Sequence, residues 1–274
     1  MNKLVLSSGL PRSGSTLLQN ILNSNPEFHA TPTSGILESL LNIRTTFSHN
    51  TSYKAQNRLE LLDDMGASMK GFLEGYYNSK DGVVFDKSRG WPNKLDLIDT
   101  ILGHKETKVI WIYRDPVEIV NSMEKHHNKT ILLEGSGESN NQYATLDSRI
   151  GSYYSLIDGP LTNLRDAIEQ GYGDRILFLD YNTLTLNPNL VMESLHTLID
   201  EPKYDYPIYD MKQSTNEFDG IYNYKFPHTI KEGAIEKIKS ESTLHPKYVH
   251  LITTKYSKFI EFMETHDQNL IVQL

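Results

Sequence analysis

The chain is 274 residues long, 38% hydrophobic and 23% charged, with 35 acidic residues against 27 basic ones and a formal net charge of −8. A nucleic-acid binder would show the opposite bias or a basic block, and an acidic balance repels anionic ligands unless local basic residues overcome it. Cysteine is absent, which excludes disulfides and thiolate chemistry and suits a reducing compartment.

The first segment, Lys3 to Leu22, reads KLVLSSGLPRSGSTLLQNIL. Leu4, Val5 and Leu6 predict a buried strand over 3–8, and Thr16, Leu17, Leu18, Ile21 and Leu22 predict a helix over 15–25. Between them, Gly9, Gly14, Ser15 and Thr16 fall at the Walker spacing G-x-x-x-x-G-K-[ST], with Ser15 in the lysine's place. Such a turn delivers backbone N–H groups and a helix N-terminus to one point, which suits an anion, and Arg12 adds positive charge. A Walker lysine works beside magnesium on a nucleoside triphosphate, so its loss argues for a different phosphorylated ligand. On structural grounds alone, the same residues make a tight strand-to-helix turn.

A helical region is expected from 35 to 78, broken at the polar stretch TFSHNTSYKAQ. VVFDKSRGWP (Val83 to Pro92) begins as a strand over 83–86, and a helix over 93–103 follows. Val109 to Tyr113 is an unbroken apolar run, the pattern of a strand covered on both faces, within a strand over 108–113. Arg114 ends that strand, where open α/β sheets place their ligands. Asp115 and Pro116 read as the N-cap and first residue of a helix over 116–128. Ser122 lies further along that helix, and an Arg and a Ser so placed suit a terminal phosphate, the Arg as a bidentate fork.

EGSGESNNQ (Glu134 to Gln142) has loop composition, and Tyr143 to Gln170 reads as one long helix, interrupted or bent at Gly159-Pro160. A strand over 175–180 and a helix over 188–199 complete the alternation. The expected architecture is α/β, a central parallel sheet with helices on both faces. From 201 to 231 the chain turns irregular, with Tyr204, Tyr206, Tyr209, Phe218, Tyr222, Tyr224 and Phe226 at no sustained period. Either its rings pin the segment across the core, or it forms a lid or an acceptor wall. The tail over 232–274 reads as helical at 232–240 and 246–265, with Val249, Ile252, Tyr256, Phe259, Ile260 and Met263 as a core-packing stripe.

No apolar run approaches the roughly 18 residues of a membrane span, and the opening LVLSSGL is interrupted too soon for a signal peptide. A cytoplasmic protein with no membrane or nucleic-acid partner is expected, built as a single domain over 1–274. The ten histidines never fall at H-x-x-x-H or H-E-x-x-H spacing, so no metal site is expected.

PRSGST (Pro11 to Thr16) resembles the 5′-phosphosulfate loop of sulfotransferases that use 3′-phosphoadenosine 5′-phosphosulfate (PAPS). YRDPVEIVNS (Tyr113 to Ser122) resembles their 3′-phosphate motif, and DKSRGW (Asp86 to Trp91) resembles a strand end found in microbial members. LDYNTL (Leu179 to Leu184) is similar to the strand and turn that follow, with Tyr181 at the tyrosine and Asn182 replacing an acidic residue. The resemblance covers roughly residues 1 to 200; beyond it, PHTIK (Pro227 to Lys231) is similar to a late loop that closes over the cofactor.

The resemblance implies a P-loop-containing fold and transfer of a sulfuryl group from PAPS to a hydroxyl acceptor, leaving 3′-phosphoadenosine 5′-phosphate (PAP). It assigns the cofactor to Pro11, Arg12, Ser13, Gly14, Ser15, Thr16, Arg114, Ser122, Tyr181 and Lys231. Lys87 would meet the bridging oxygen, with Arg12 also catalytic. The histidine base of animal cytosolic members falls on Arg89, a poor base. Glu38 is the first candidate to replace it, His29 the second, and His126 or His127 come behind them. Two other readings are a kinase or nucleoside triphosphatase with a degenerate Walker loop, and a non-catalytic PAP- or PAPS-binding protein.

Overall fold

The computed structural model describes residues 3–56, 60–78, 82–130, 145–218, 228–237 and 242–266. Its sheet contains β1 (Lys3–Gly9), β2 (Phe28–Thr33), β3 (Val83–Lys87), β4 (Val109–Tyr113) and β5 (Ile176–Asp180). The spatial order is β2-β3-β1-β4-β5 and every pairing is parallel. All strand carboxyl ends therefore share one edge, the ligand edge of an open α/β sheet.

Helices cover both faces, as side-chain alternation along the strands requires. Leu4, Leu6 and Val84 pack with α2 (Ile36–His49), α4 (Leu61–Tyr76) and α5 (Leu95–Leu102) through Ile36, Leu40, Met69, Leu73 and Ile98. Val5, Val83 and Phe85 join the opposite layer with α1 (Ser15–Leu22) and α9 (Pro188–Leu198). The expected tail stripe packs there too: Ile252 and Tyr256 are buried, and the Phe259 ring meets Trp111 edge-on at 5.8 Å. The stripe runs across two helices, α10 (Pro246–Lys255) and α11 (Ser257–His266), rather than one.

Several elements depart from the sequence expectation. β2 is an addition to it, because FHATPT is polar and contains Pro32; it is an edge strand, where a missing N–H costs nothing. The polar break narrows to Asn50, since α2 runs to His49 and α3 spans Thr51–Gln56. The Asn50 carboxamide accepts the Ser52 amide at 2.9 Å and so starts the second helix. α7 (Leu146–Glu169) continues through Pro160, held on either side by buried Ile157 and Leu164. α6 (Pro116–Thr130) follows expectation, and α8 (Tyr181–Leu186) is a short added helix after β5. Residues 232–237 are not helical: Gly233 bridges Met211 in an antiparallel pair. Residues 134–142 and 238–240 lie outside the described residues, as do Tyr222, Tyr224 and Phe226.

Tyr204 and Tyr206 pin the irregular segment to the amino edge of the sheet. The Tyr204 hydroxyl donates to the Ser24 carbonyl at 2.8 Å, and the Tyr206 hydroxyl lies 2.9 Å from His196 Nε2. His196 is buried and stacks on Phe28 at 5.1 Å, and this burial holds its imidazole below the ordinary value. A depressed histidine favours the neutral folded form, so its contribution is present above the unfolded pKa and lost as pH falls. Unfolding by urea between pH 7.5 and 5 should show wild-type stability dropping faster than that of His196→Gln, by at most about 1.4 kcal/mol per pH unit. Parallel pH profiles would contradict this.

Candidate functional site

The turn after β1 is set by close packing. Gly9 has φ 147, and a Cβ there would lie 2.0 Å from the Ile112 carbonyl oxygen, so only glycine lets the loop leave along β4. The Leu10 amide donates to that same carbonyl at 3.0 Å. The buried Ser13 hydroxyl donates to the Leu10 carbonyl at 2.6 Å and also lies 3.2 Å from the Ile112 carbonyl, so the side chain braces the loop itself. Gly14, at φ 90, precedes α1 without a side-chain cap. The first helical bond runs from Leu18 N–H to the Gly14 carbonyl, so the amides of Ser15, Thr16 and Leu17 have no intrahelical acceptor. They form an amide cradle at the helix start, the kind of arrangement that suits an anion.

Beside the cradle, β4, α6 and α8 bring predicted residues together. The Arg12 Nε donates to the Ser122 hydroxyl at 3.3 Å, and Arg114 Nη1 reaches the Arg12 carbonyl at 3.4 Å. The Arg114 Nε donates to Glu118 at 2.8 Å, while its guanidinium stacks 4.3 Å from the Tyr181 ring centroid. Tyr181 in turn abuts the loop: a Cβ on Gly14 would meet its ring at 2.5 Å. Arg114 and Ser122 are thus linked through Arg12. Arg12 has φ 56, a left-handed conformation uncommon for a residue with a Cβ.

Lys87 ends β3, in register with Ser7 of β1 and Thr33 of β2. Its amide donates to the Thr31 hydroxyl at 2.9 Å, and its carbonyl accepts the Ser34 amide at 3.0 Å. The neighbouring Asp86 is fully buried and accepts hydrogen bonds from the Tyr77 hydroxyl and, at 2.6 Å, from Trp91 Nε1. Burial pushes the Asp86 carboxyl up, against the lowering effect of its Ser34, Tyr77 and Trp91 hydrogen bonds. That network fixes the strand end carrying Lys87. Glu38 is exposed in the first turn of α2, near enough for its charge to act on Asp86.

Two residues not singled out from sequence also enter this site. Glu217 lies 3.7 Å from Lys87 Nζ and 3.2 Å from His228 Nδ1, through the same oxygen, Oε2. Both sit on arms that return over the carboxyl edge. The arms are joined by the Met211–Gly233 bridge and by Gln213, whose Nε2 donates to the His228 carbonyl at 3.1 Å. Asn20 of α1 anchors them: its Oδ1 accepts the Ser214 and Thr215 amides at 2.6 and 3.0 Å. No local motif marks Glu217; its place depends on Asn20, far earlier in the chain.

The other sequence candidates lie elsewhere. His29 pairs with Val84, three residues before Lys87, about 10 Å back along the strand. His126 and His127 follow Ser122 by four and five residues, roughly 6–8 Å further along α6. Lys231 is exposed and pairs with Glu236 at 3.5 Å. Among the described residues, no group of three or more His, Asp or Glu is placed to hold a metal ion, and no helix is long and apolar enough to cross a membrane.

A model described as the sulfotransferase family matches residues 5–205. Among solved structures, the sulfotransferase domain from the curacin biosynthetic pathway is similar at TM-score 0.54 and 16% identity, covering 93% of this chain and 97% of that one. The sulfotransferase domain from the Synechococcus PCC 7002 olefin synthase matches at TM-score 0.51 and 17% identity, covering 92% and 94%. At these identities the likeness is one of fold. No curated protein sequence matches the chain.

Proposed function

Because the chain belongs to the sulfotransferase family, we propose that it transfers a sulfuryl group from PAPS to a hydroxyl acceptor, releasing PAP. The observation that carries this reading is the order of groups along the sheet edge. Lys87 stands on β3, the amide cradle follows β1, and Arg114 with Ser122 stands beyond β4. One elongated ligand with a reactive group at one end and a terminal phosphate at the other suits that order. PAPS supplies the activated sulfuryl group. The cradle amides of Ser15 and Thr16 would hold the 5′-phosphate, Pro11 and Gly14 shaping the loop. Arg12 would join the amides on the 5′-phosphate, and Arg114 and Ser122 would hold the 3′-phosphate, with Tyr181 supporting Arg114.

Lys87 would neutralise the negative charge that grows on the bridging oxygen as the sulfuryl group leaves. A sulfuryl group carries less charge than a phosphoryl group, so a side-chain cation serves this purpose. The acceptor is a glycan, small alcohol or tyrosyl hydroxyl, and the cysteine-free chain suits the cytoplasm.

Purified protein incubated with labelled PAPS and a panel of alcohols, phenols and glycans should yield labelled product and free PAP. Absence of PAP and PAPS binding by calorimetry would refute the proposal. Magnesium-dependent stabilisation by ATP exceeding that by PAP would favour a nucleoside triphosphate enzyme. Tight PAP binding with neither transfer nor PAPS hydrolysis would favour a non-catalytic binding protein.

A further inference from the structure

We propose that Glu217 is the general base that takes the proton from the acceptor hydroxyl. This inference rests on the sulfotransferase reading above. Transfer requires that the acceptor O–H proton depart as its oxygen bonds to sulfur, so a basic atom must stand beside the reacting centre. Lys87 marks that centre, and Glu217 Oε2 lies 3.7 Å from its Nζ.

The Glu217 side chain is only 8% exposed. Oε2 is engaged by Lys87 and by His228 Nδ1 at 3.2 Å, whereas Oε1 is buried and has no hydrogen-bond partner among the described residues. Buried carboxylate oxygens are nearly always paired, so an unpaired one beside a reaction centre is a place for a ligand's donor. An acceptor hydroxyl is such a donor. In the step, the acceptor oxygen forms its bond to sulfur while the bond from sulfur to the bridging phosphate oxygen breaks. The electron pair of the broken bond stays on the phosphate oxygen beside Lys87, and the acceptor proton passes to Glu217 Oε1. Atoms and charge balance without another reactant, and the proton returns to solvent after release.

The arms that carry Glu217 are held by side chains rather than by a sheet. Asn20 receives the Ser214 and Thr215 amides, and its Nδ2 donates to the Thr215 hydroxyl at 2.9 Å. Because Asn20 belongs to the helix that opens at the cradle, this clasp sets Glu217 relative to the cradle amides. Glu38, by contrast, is exposed on α2.

The test compares Glu217→Gln, Glu38→Gln and wild type, using labelled PAPS and substituted phenols of graded acidity. Glu217→Gln should lower kcat about 10²-fold with a weakly acidic phenol such as 4-methylphenol. The deficit should shrink with 4-nitrophenol, which needs little help to lose its proton. PAP affinity by calorimetry should hold or tighten, since Lys87 loses a competing carboxylate. A loss equal for all phenols and accompanied by weaker PAP binding would make Glu217 a structural clasp and overturn the inference. So would wild-type or faster turnover in Glu217→Gln, or the acidity-dependent loss appearing in Glu38→Gln instead. If wild-type protein transfers to no acceptor, the sulfotransferase reading itself fails and this inference falls with it.

Discussion

Lys87→Ala is expected to lower turnover by roughly 10²- to 10³-fold, the usual cost of removing one preorganised group that stabilises transition-state charge. The side chain is largely buried, at 11% exposure, on a strand end held by Thr31, Ser34 and the Asp86 network. It therefore needs little reorganisation when charge develops beside it. Truncation also leaves the Glu217 carboxylate next to an empty volume, and an uncompensated buried charge is costly. Lys87→Ala alone would mix lost catalysis with this penalty. Urea unfolding separates them, because the structural share appears as lost stability that Glu217→Gln relieves in the double variant, whereas turnover stays low in both. Single-turnover rates and PAP affinity are the other measurements. Turnover close to wild type in Lys87→Ala would remove the lysine from the chemistry.

The elements that position the cradle are legible because each is specified locally. Val109 to Tyr113 is apolar throughout, since its strand lies inside the sheet, and Gly9 and Gly14 stand where the backbone demands glycine. β2 is hidden for the opposite reason: an edge strand tolerates Pro32 and polar residues, so its composition resembles a loop. The helix expected at 232–240 does not form over its described part, because Gly233 takes a left-handed φ of 100 and pairs with Met211, a partner that helical propensity does not see. Glu217 is illegible for the same physical reason, and of His228 only the PHTIK loop that carries it shows in the sequence. Nothing near them in sequence sets their positions; Asn20, Gln213 and the Met211–Gly233 bridge do so through long-range hydrogen bonds. Local motifs report the backbone of the amide cradle, while tertiary clasps place Glu217 beside Lys87.

Arg114→Ala should weaken PAP by roughly 30- to 1000-fold, about 2–4 kcal/mol, while adenosine 5′-phosphosulfate, which has no 3′-phosphate, loses far less. The contrast between ligands matters because Arg114 has structural contacts as well. It pairs with Glu118, stacks on Tyr181 and reaches the Arg12 carbonyl within the loop. Removing it frees the Tyr181 ring that abuts Gly14, and this loosening weakens both ligands alike. Only the share that depends on the 3′-phosphate reports direct recognition. Calorimetry of both ligands at one salt concentration isolates that share, since screening affects the phosphate contact most strongly. Equal losses would make Arg114 a brace for the loop and move recognition of the terminal phosphate to Arg12 and Ser122, which already meet at 3.3 Å.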